Sequence, residues 1–197
     1  MTTFAELVTN VYALTNRPDL VSETELAVRN ATLKMHKTDF YFKDIFETGI
    51  QFTEADYLQS LDYKALIPTW RSLKYIRKYD PVGLTAGKFM EVITTEQVLD
   101  SYFQTKPDVV YGAGQVLQLR SSTKEAYYLL GCYRFPILTA LNFSSWIADE
   151  QPSAIEREAA RVIFKTIGYD EQASVYEKLI AEEIVLLKQD NILINGS

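Results

Sequence analysis

The amino-acid sequence predicts an α+β fold: a helical bundle built from the N- and C-terminal helices, with an inserted antiparallel β domain. Three observations predict it. Residues 3–37 and 144–187 repeat apolar side chains at helical spacing, whereas the runs between Asp44 and about Thr139 are rich in β-branched and aromatic residues. Gly and Pro clusters punctuate those runs at 80–83 (DPVG), 106–108 (KPD) and 111–114 (YGAG). Helices at the two ends of one chain bury their apolar stripes most simply against each other, which leaves the β unit as an insertion. The expected division is 1–43 with 144–197 as the bundle and 44–143 as the β domain.

The first helix is expected from Thr3 to about Leu14. Thr3 with Glu6 matches a capping box, and Phe4, Leu7, Val11 and Leu14 share a face. Pro18, which has no N–H and forces Arg17 out of the helical region, breaks it. Ser22 with Glu25 reads as the cap of a second helix to about Lys37, on a weakly apolar face of Leu26, Ala27, Asn30, Leu33 and Lys37. Strands are expected at 45–52, 70–79, 88–94, 108–112, 115–120 and 125–135, with a helical turn or two inside 94–103. The glycines of YGAGQ read as a hairpin turn with positive φ; a dinucleotide fingerprint needs a third Gly and a following helix, and a strand pattern follows instead. Ser144 or Ser145 then caps a short helix, Pro152 restarts it, Gly168 closes it and Asp170 caps the last helix. The two late stripes are Ile155, Ala159, Val162, Ile163, Ile167 and Ala173, Tyr176, Ile180, Ile184, Leu187. Burial in one bundle is expected for Leu7, Val11, Leu26, Ile155, Ala159, Ile163, Tyr176 and Ile180.

A chain of 197 residues with 47% apolar content is long enough to bury a core. Its net charge of −6 argues against a nucleic-acid grip, which needs basic patches. Arg71, Lys74, Arg77 and Lys78 are read as the polar face of a strand. The single Cys132 forms no internal disulfide, which suits a reducing compartment. The opening MTTFAELVTNVYAL lacks a secretory signal pattern, and no run approaches the roughly 18 apolar residues of a membrane helix.

No constellation for catalysis is legible. His36 is the sole histidine and Cys132 the sole cysteine, too few for an ordinary zinc site, and Cys132 sits in an apolar strand where a thiol packs inertly. The adjacent acids Asp149–Glu150 and Glu182–Glu183 diverge on a helix and read as solvated faces. The expectation is no enzyme, no cofactor and no metal. In the 125–135 run both faces are apolar or aromatic, which marks Tyr127, Tyr128, Leu129 and Tyr133 as a candidate subunit interface. In KQDNILINGS, Ile192, Leu193 and Ile194 flanked by Asn191 and Asn195 form a candidate docking tail, suited to a groove or an added strand on a partner.

Two segments carry a resemblance. LTNRPDLVSETELAVRNATLKMHKTDFYFKD (14–44) resembles the opening of many tailed-bacteriophage neck proteins, and SSWIADEQPSAIEREAARVIFKTIGYDEQA (144–173) is similar to a helical hairpin of the same proteins. The order of helices, β insertion and helices also resembles the tail tubular A type of head–tail adaptor. The resemblance implies a structural virion protein at the neck, or head–tail junction, made in the host cytoplasm. It implies a homo-oligomeric ring, a dodecamer, that joins the portal protein to a tail or nozzle protein. DNA would pass through its channel, during packaging retention and ejection, without sequence-specific binding, and no membrane is involved. On it Asn191–Asn195 would dock the portal. The competing expectation is a monomeric α+β binding module or a small-molecule enzyme.

Overall fold

The structure, a computed structural model, describes residues 1–98 and 106–195, with side chains as far as residue 191. It is α+β, with helices at both ends of the chain and a six-stranded sheet between them in sequence. The chain divides into two compact units: Met1–Asp44 with Phe135–Ser197, and Ile45–Arg134. Residues 135–143, expected in the β domain, group with the helices. Ile137 and Ser144 exchange two backbone hydrogen bonds of 2.9 and 3.1 Å, and Phe143 packs 5.6 Å from Phe4.

In the helical unit, α1 (Phe4–Thr15) forms the expected capping box, with Thr3 Oγ1 accepting from the Glu6 N–H at 3.2 Å and Glu6 accepting from the Thr3 N–H at 2.7 Å. Asn16, in the left-handed region at φ 53°, ends it. Helix α2 (Val21–Lys37) starts before Ser22, and Leu20 stands at the cap position without a side-chain bond. The Ser22–Glu25 box therefore does not form, because Ser22 already lies in the first turn. The buried face of α2 is also not the expected one. It is Thr24, Ala27, Val28, Ala31, Thr32 and Met35, and Leu26 is 57% exposed. Small residues set this face by letting the neighbouring helix come close, and they outweigh the larger Leu26.

Ser145 caps α4 (Trp146–Glu150), and Pro152 opens α5 (Pro152–Thr166). Gly168, at φ 80°, turns the chain into α6 (Asp170–Asn195). Asp170 is the first residue of α6, in its first turn, where its charge complements the helix dipole. One core gathers Leu7, Val11, Ala27, Ile155, Ala159, Ile163, Ile180 and Leu187, with Tyr176 half-buried against it.

In the β unit the strands are β1 (Ile45–Asp62), β2 (Trp70–Asp80), β3 (Thr85–Phe89), β4 (Glu91–Val92), β5 (Val109–Ala113) and β6 (Val116–Arg134), with the short α3 (Tyr63–Leu66) after β1. The sheet is mixed rather than antiparallel throughout: β4 pairs with β5 in parallel, while the other pairings are antiparallel. Central β6 carries β1 along one edge and shares the other between β2 and β5. It fuses two expected strands, because the intervening SSTK contains no residue that favours a turn with positive φ. Gly114, at φ 66°, makes the β5–β6 hairpin, and Gly112 remains in the ladder opposite Leu117. Within the 94–103 run, Thr95–Gln97 forms a 3₁₀ turn, and residues 99–103 lie outside the described residues.

The inward side chains of β6 change parity along its length. Leu117, Leu119 and Ser121 are buried first, then Tyr128, Leu130 and Cys132. The β1–β6 register shifts between Gln51 and Leu58, and these irregularities keep apolar residues inward on both sides of the break.

Candidate functional site

The polar cluster that the fold builds most completely lies at the end of the first helical segment. His36, in the last turn of α2, sits between Asp44 and Ser145. Its Nδ1 is 2.8 Å from Asp44 Oδ1 and its Nε2 2.9 Å from Ser145 Oγ. An ionised Asp44 only accepts, so Nδ1–H donates to it, and in the neutral ring Nε2 accepts from the serine hydroxyl. Trp146 Nε1 donates to the same Asp44 oxygen at 2.8 Å, and its indole stands edge-on to His36 and Tyr41. Lys43 Nζ lies 5.1 Å from the Trp146 ring and pairs with Glu150.

Ser, His and Asp in this order have the connectivity of a hydrolytic triad. Burial limits what it does here. Ser145 is 5% exposed, His36 1% and Asp44 4%. Ser145 Oγ also accepts the Ala148 N–H at 3.3 Å as a helix cap. The crevice against Trp146, lined also by Tyr41, Lys43 and Asn191, measures about 10 Å³, room for no more than one water. The cluster works as a latch joining α2, the segment that leads into β1, and α4.

Two buried carboxylates complete the electrostatics of the helical unit. Glu158 of α5 accepts from Lys34 at 2.7 Å and from Arg161 at 2.8 Å. Burial pushes its carboxyl up, but the bonds from Arg161 and Lys34 outweigh this and hold it below the usual carboxylate range. Glu183 of α6 is 8% exposed and accepts from Gln151, from Ser153 at 2.9 Å and from Arg157 at 2.7 Å. The expectation of a solvated Glu182–Glu183 face is thus corrected at Glu183, which faces the start of α5. Asp149 and Glu150 are exposed, as solvated acids should be.

The sequence-derived candidates scatter. Tyr128 is fully buried within its own unit, 5.8 Å from Phe52, so it cannot serve a subunit interface. Burial pushes its phenol up to about 12. Tyr127, Leu129 and Tyr133 are half-buried on the opposite face of β6. Cys132 is fully buried, and burial pushes its thiol up to about 11, where it is a poor nucleophile. Asn191 is engaged within its own unit: it accepts from the Phe42 N–H at 2.8 Å and donates to the Phe40 carbonyl at 3.3 Å. Ile192, Leu193, Ile194 and Asn195 continue α6, so of the two forms expected for the docking tail, a segment for a groove or an added strand, the backbone here is a helix end and not a strand; their side chains lie outside the described residues.

The latch was missed from sequence although Ser145 was read as a cap. Its signal is a lone His eight residues before an Asp, and the third member lies 109 residues further on from His36. Among the described residues no group of His, Cys, Asp and Glu is arranged to hold a metal, and no helix is long and apolar enough to cross a membrane. Neither a protein-family model nor a curated protein matches this chain.

Proposed function

We propose that the chain is a structural subunit of a tailed-bacteriophage neck, forming a ring that joins the portal to the tail and surrounds the DNA channel. One observation carries this reading. The two segments that resemble neck proteins, 14–44 and 144–173, meet in one unit through their own residues. His36 and Asp44 of the first bond Ser145 and Trp146 of the second, and Lys34 pairs with Glu158. A resemblance by chance gives no reason for the two segments to interlock.

The charge distribution supports it. The helical unit carries 16 acidic and 10 basic residues, the β unit 10 of each. An acidic wall repels a polyanion, so DNA slides past it instead of sticking. The test is assembly: purified chain, alone and with portal protein, viewed by negative-stain microscopy and weighed by mass photometry. Rings are expected. A chain that stays at 22.5 kDa in both settings overturns the proposal.

The second reading is a hydrolase, favoured by the Ser145–His36–Asp44 distances alone. A fluorophosphonate probe decides it, because covalent labelling lost in Ser145→Ala requires a reactive serine. The burial of Ser145 leads us to expect no labelling.

A further inference from the structure

The order and sense of the strands leave two open edges on the β unit. Three antiparallel pairings, β3 with β2, β2 with β6 and β6 with β1, join four strands into a strip. Phe89, Arg77, Leu129 and Gly49 stand in one row across it, as the pairings Arg77–Phe89, Arg77–Leu129 and Gly49–Leu129 show. Among the described residues β1 pairs only with β6 and β3 only with β2, so each keeps one edge without a strand. A strand paired on one side points the N–H and C=O of every second residue away from its partner. Those groups bond water in a lone chain and accept a further strand in an assembly.

The β1 edge lacks the devices that usually block such pairing. From Ile45 to Gln51 its register with β6 runs unbroken, and IFETGIQ contains no Pro, Lys or Arg. Its one charge, Glu47, reaches back over the outer face of the sheet to accept from the Tyr75 hydroxyl. That ring lies over Gly131, where a Cβ would come within 2.5 Å of it. Gly49 has nothing within 4 Å of where its Cβ would stand. On the far side of the strip, β3 is exposed along its whole length and ends in Phe89, which is 60% exposed. The sense of the two edges matches as well. β1 and β2 run one way, β6 and β3 the other, so a β3 laid beside β1 continues the antiparallel order. Repeating the strip sideways continues its row too, and brings a second Phe89 beside Gly49. Aromatic cover of this kind suits a strand glycine. Pairing two β1 edges would instead close a two-fold dimer and leave the β3 edge bare.

We infer that the free edge of β1 in one copy of the chain pairs, antiparallel, with the free edge of β3 in a second copy, with Phe89 of that copy seated beside Gly49. The contact is heterologous, since it joins two different edges, and repeated contacts of that kind close into rings. It therefore rests on the ring reading, and it gives that ring a sheet continuous from subunit to subunit. The subunit interface moves with it, from the Tyr127–Tyr133 run of central β6 to the two edges of the strip.

Cross-linking tests it. Gln51, paired with Tyr127, and Ala86, paired with Tyr79, are exposed positions on these two edges, one row beyond Gly49 and Phe89. Gln51→Cys with Ala86→Cys sets two thiols about 14 Å apart within one copy, across three strand spacings, and side by side between copies. The native Cys132 is fully buried and does not compete. A short bifunctional thiol reagent is expected to link the double variant into a ladder of covalent multimers on a denaturing gel, and to leave each single variant unlinked. Gly49→Lys, where a side chain has room, is expected to keep the wild-type melting curve but weaken assembly at least about tenfold, because an edge lysine blocks strand addition. Wild-type rings with no ladder in the double variant, or rings that survive Gly49→Lys unchanged, overturn the edge pairing and leave the ring reading in place. Covalent dimers from Gln51→Cys alone would mean that β1 meets β1, and overturn it as well. A wild-type chain that never assembles, with or without portal, overturns the ring itself and the pairing with it.

Discussion

The helical unit buries charge, and the β unit buries mainly hydrocarbon and rings. Glu158, Glu183, Asp44 and His36 all lie inside the first, each with bonded partners, among helices whose contacts are lined with alanine. The core of the second is aliphatic and aromatic, with Tyr128 and Cys132 at its centre. The difference teaches what each unit resists. Buried ion pairs add little net stability over apolar packing, but removing one partner is costly, so they hold each helix to its proper neighbour. A sheet gets its register instead from apolar parity and from close fits such as Tyr75 over Gly131.

The largest expected effect is in the helical unit. Ala159 is fully buried where α5 meets the core, and Ala159→Glu would place a carboxylate there without a cation. A loss of about 3–5 kcal/mol is expected in urea melts. A variant that melts like wild type would contradict the single bundle core.

The β unit offers a paired test. Gly131→Ala drives a methyl into the Tyr75 ring at 2.5 Å, and overpacking of this kind costs about 2 kcal/mol. Gly49→Ala, on the neighbouring strand, meets nothing within 4 Å and should change stability little. Equal melting points for the two variants would contradict the description of the outer face.

A smaller effect, of opposite character, comes from pH. The Glu158 carboxyl is lowered in the folded state by Arg161 and Lys34, against the push of burial. Its contribution is thus fully present above the unfolded value near 4.5 and is lost as pH falls through the folded value. Glu158→Gln should cost about 1–2 kcal/mol at pH 7, less than a fully enclosed pair because Lys34 is half exposed and regains water. The gap between variant and wild type should narrow as pH falls below 4.5. A gap that stays constant down to pH 2 would mean the pair contributes nothing as a pair.

These contrasts also explain what was legible. Periodicity identified α5 and α6 as far as Leu187, because Ile155, Ala159, Ile163, Ile180 and Leu187 are apolar on one side of these helices, but it did not carry α6 on to Asn195. It misplaced the face of α2, where Thr24, Ala31 and Thr32 are buried and Leu26 is not: when small residues make the contact, size and polarity no longer mark the inside. It split β6 in two, since an irregularity in the ladder resembles a turn until the partner strand is known. The latch was out of reach for another reason. His36, Asp44 and Ser145 carry no local pattern, and only the return of the chain after the β unit brings Ser145 to the imidazole.

The finest comparison is between two caps that look alike in sequence. Thr3 with Glu6 and Ser22 with Glu25 both have the spacing of a capping box. Only the first forms, because Thr3 is extended at φ −84°, ψ 157° and precedes the helix, whereas Ser22 follows Val21 inside it. A cap side chain stabilises by accepting an N–H that no helical carbonyl can reach, and a serine within the first turn has left that position. Thr3→Ala is therefore expected to cost about 1 kcal/mol, and Ser22→Ala to stay within about 0.5 kcal/mol of wild type, with alanine's better helix propensity pulling toward stability. Chemical denaturation of the two single variants resolves a difference of this size. Equal losses would place the start of α2 at Ser22 after all, and with it the face that α2 turns to the core.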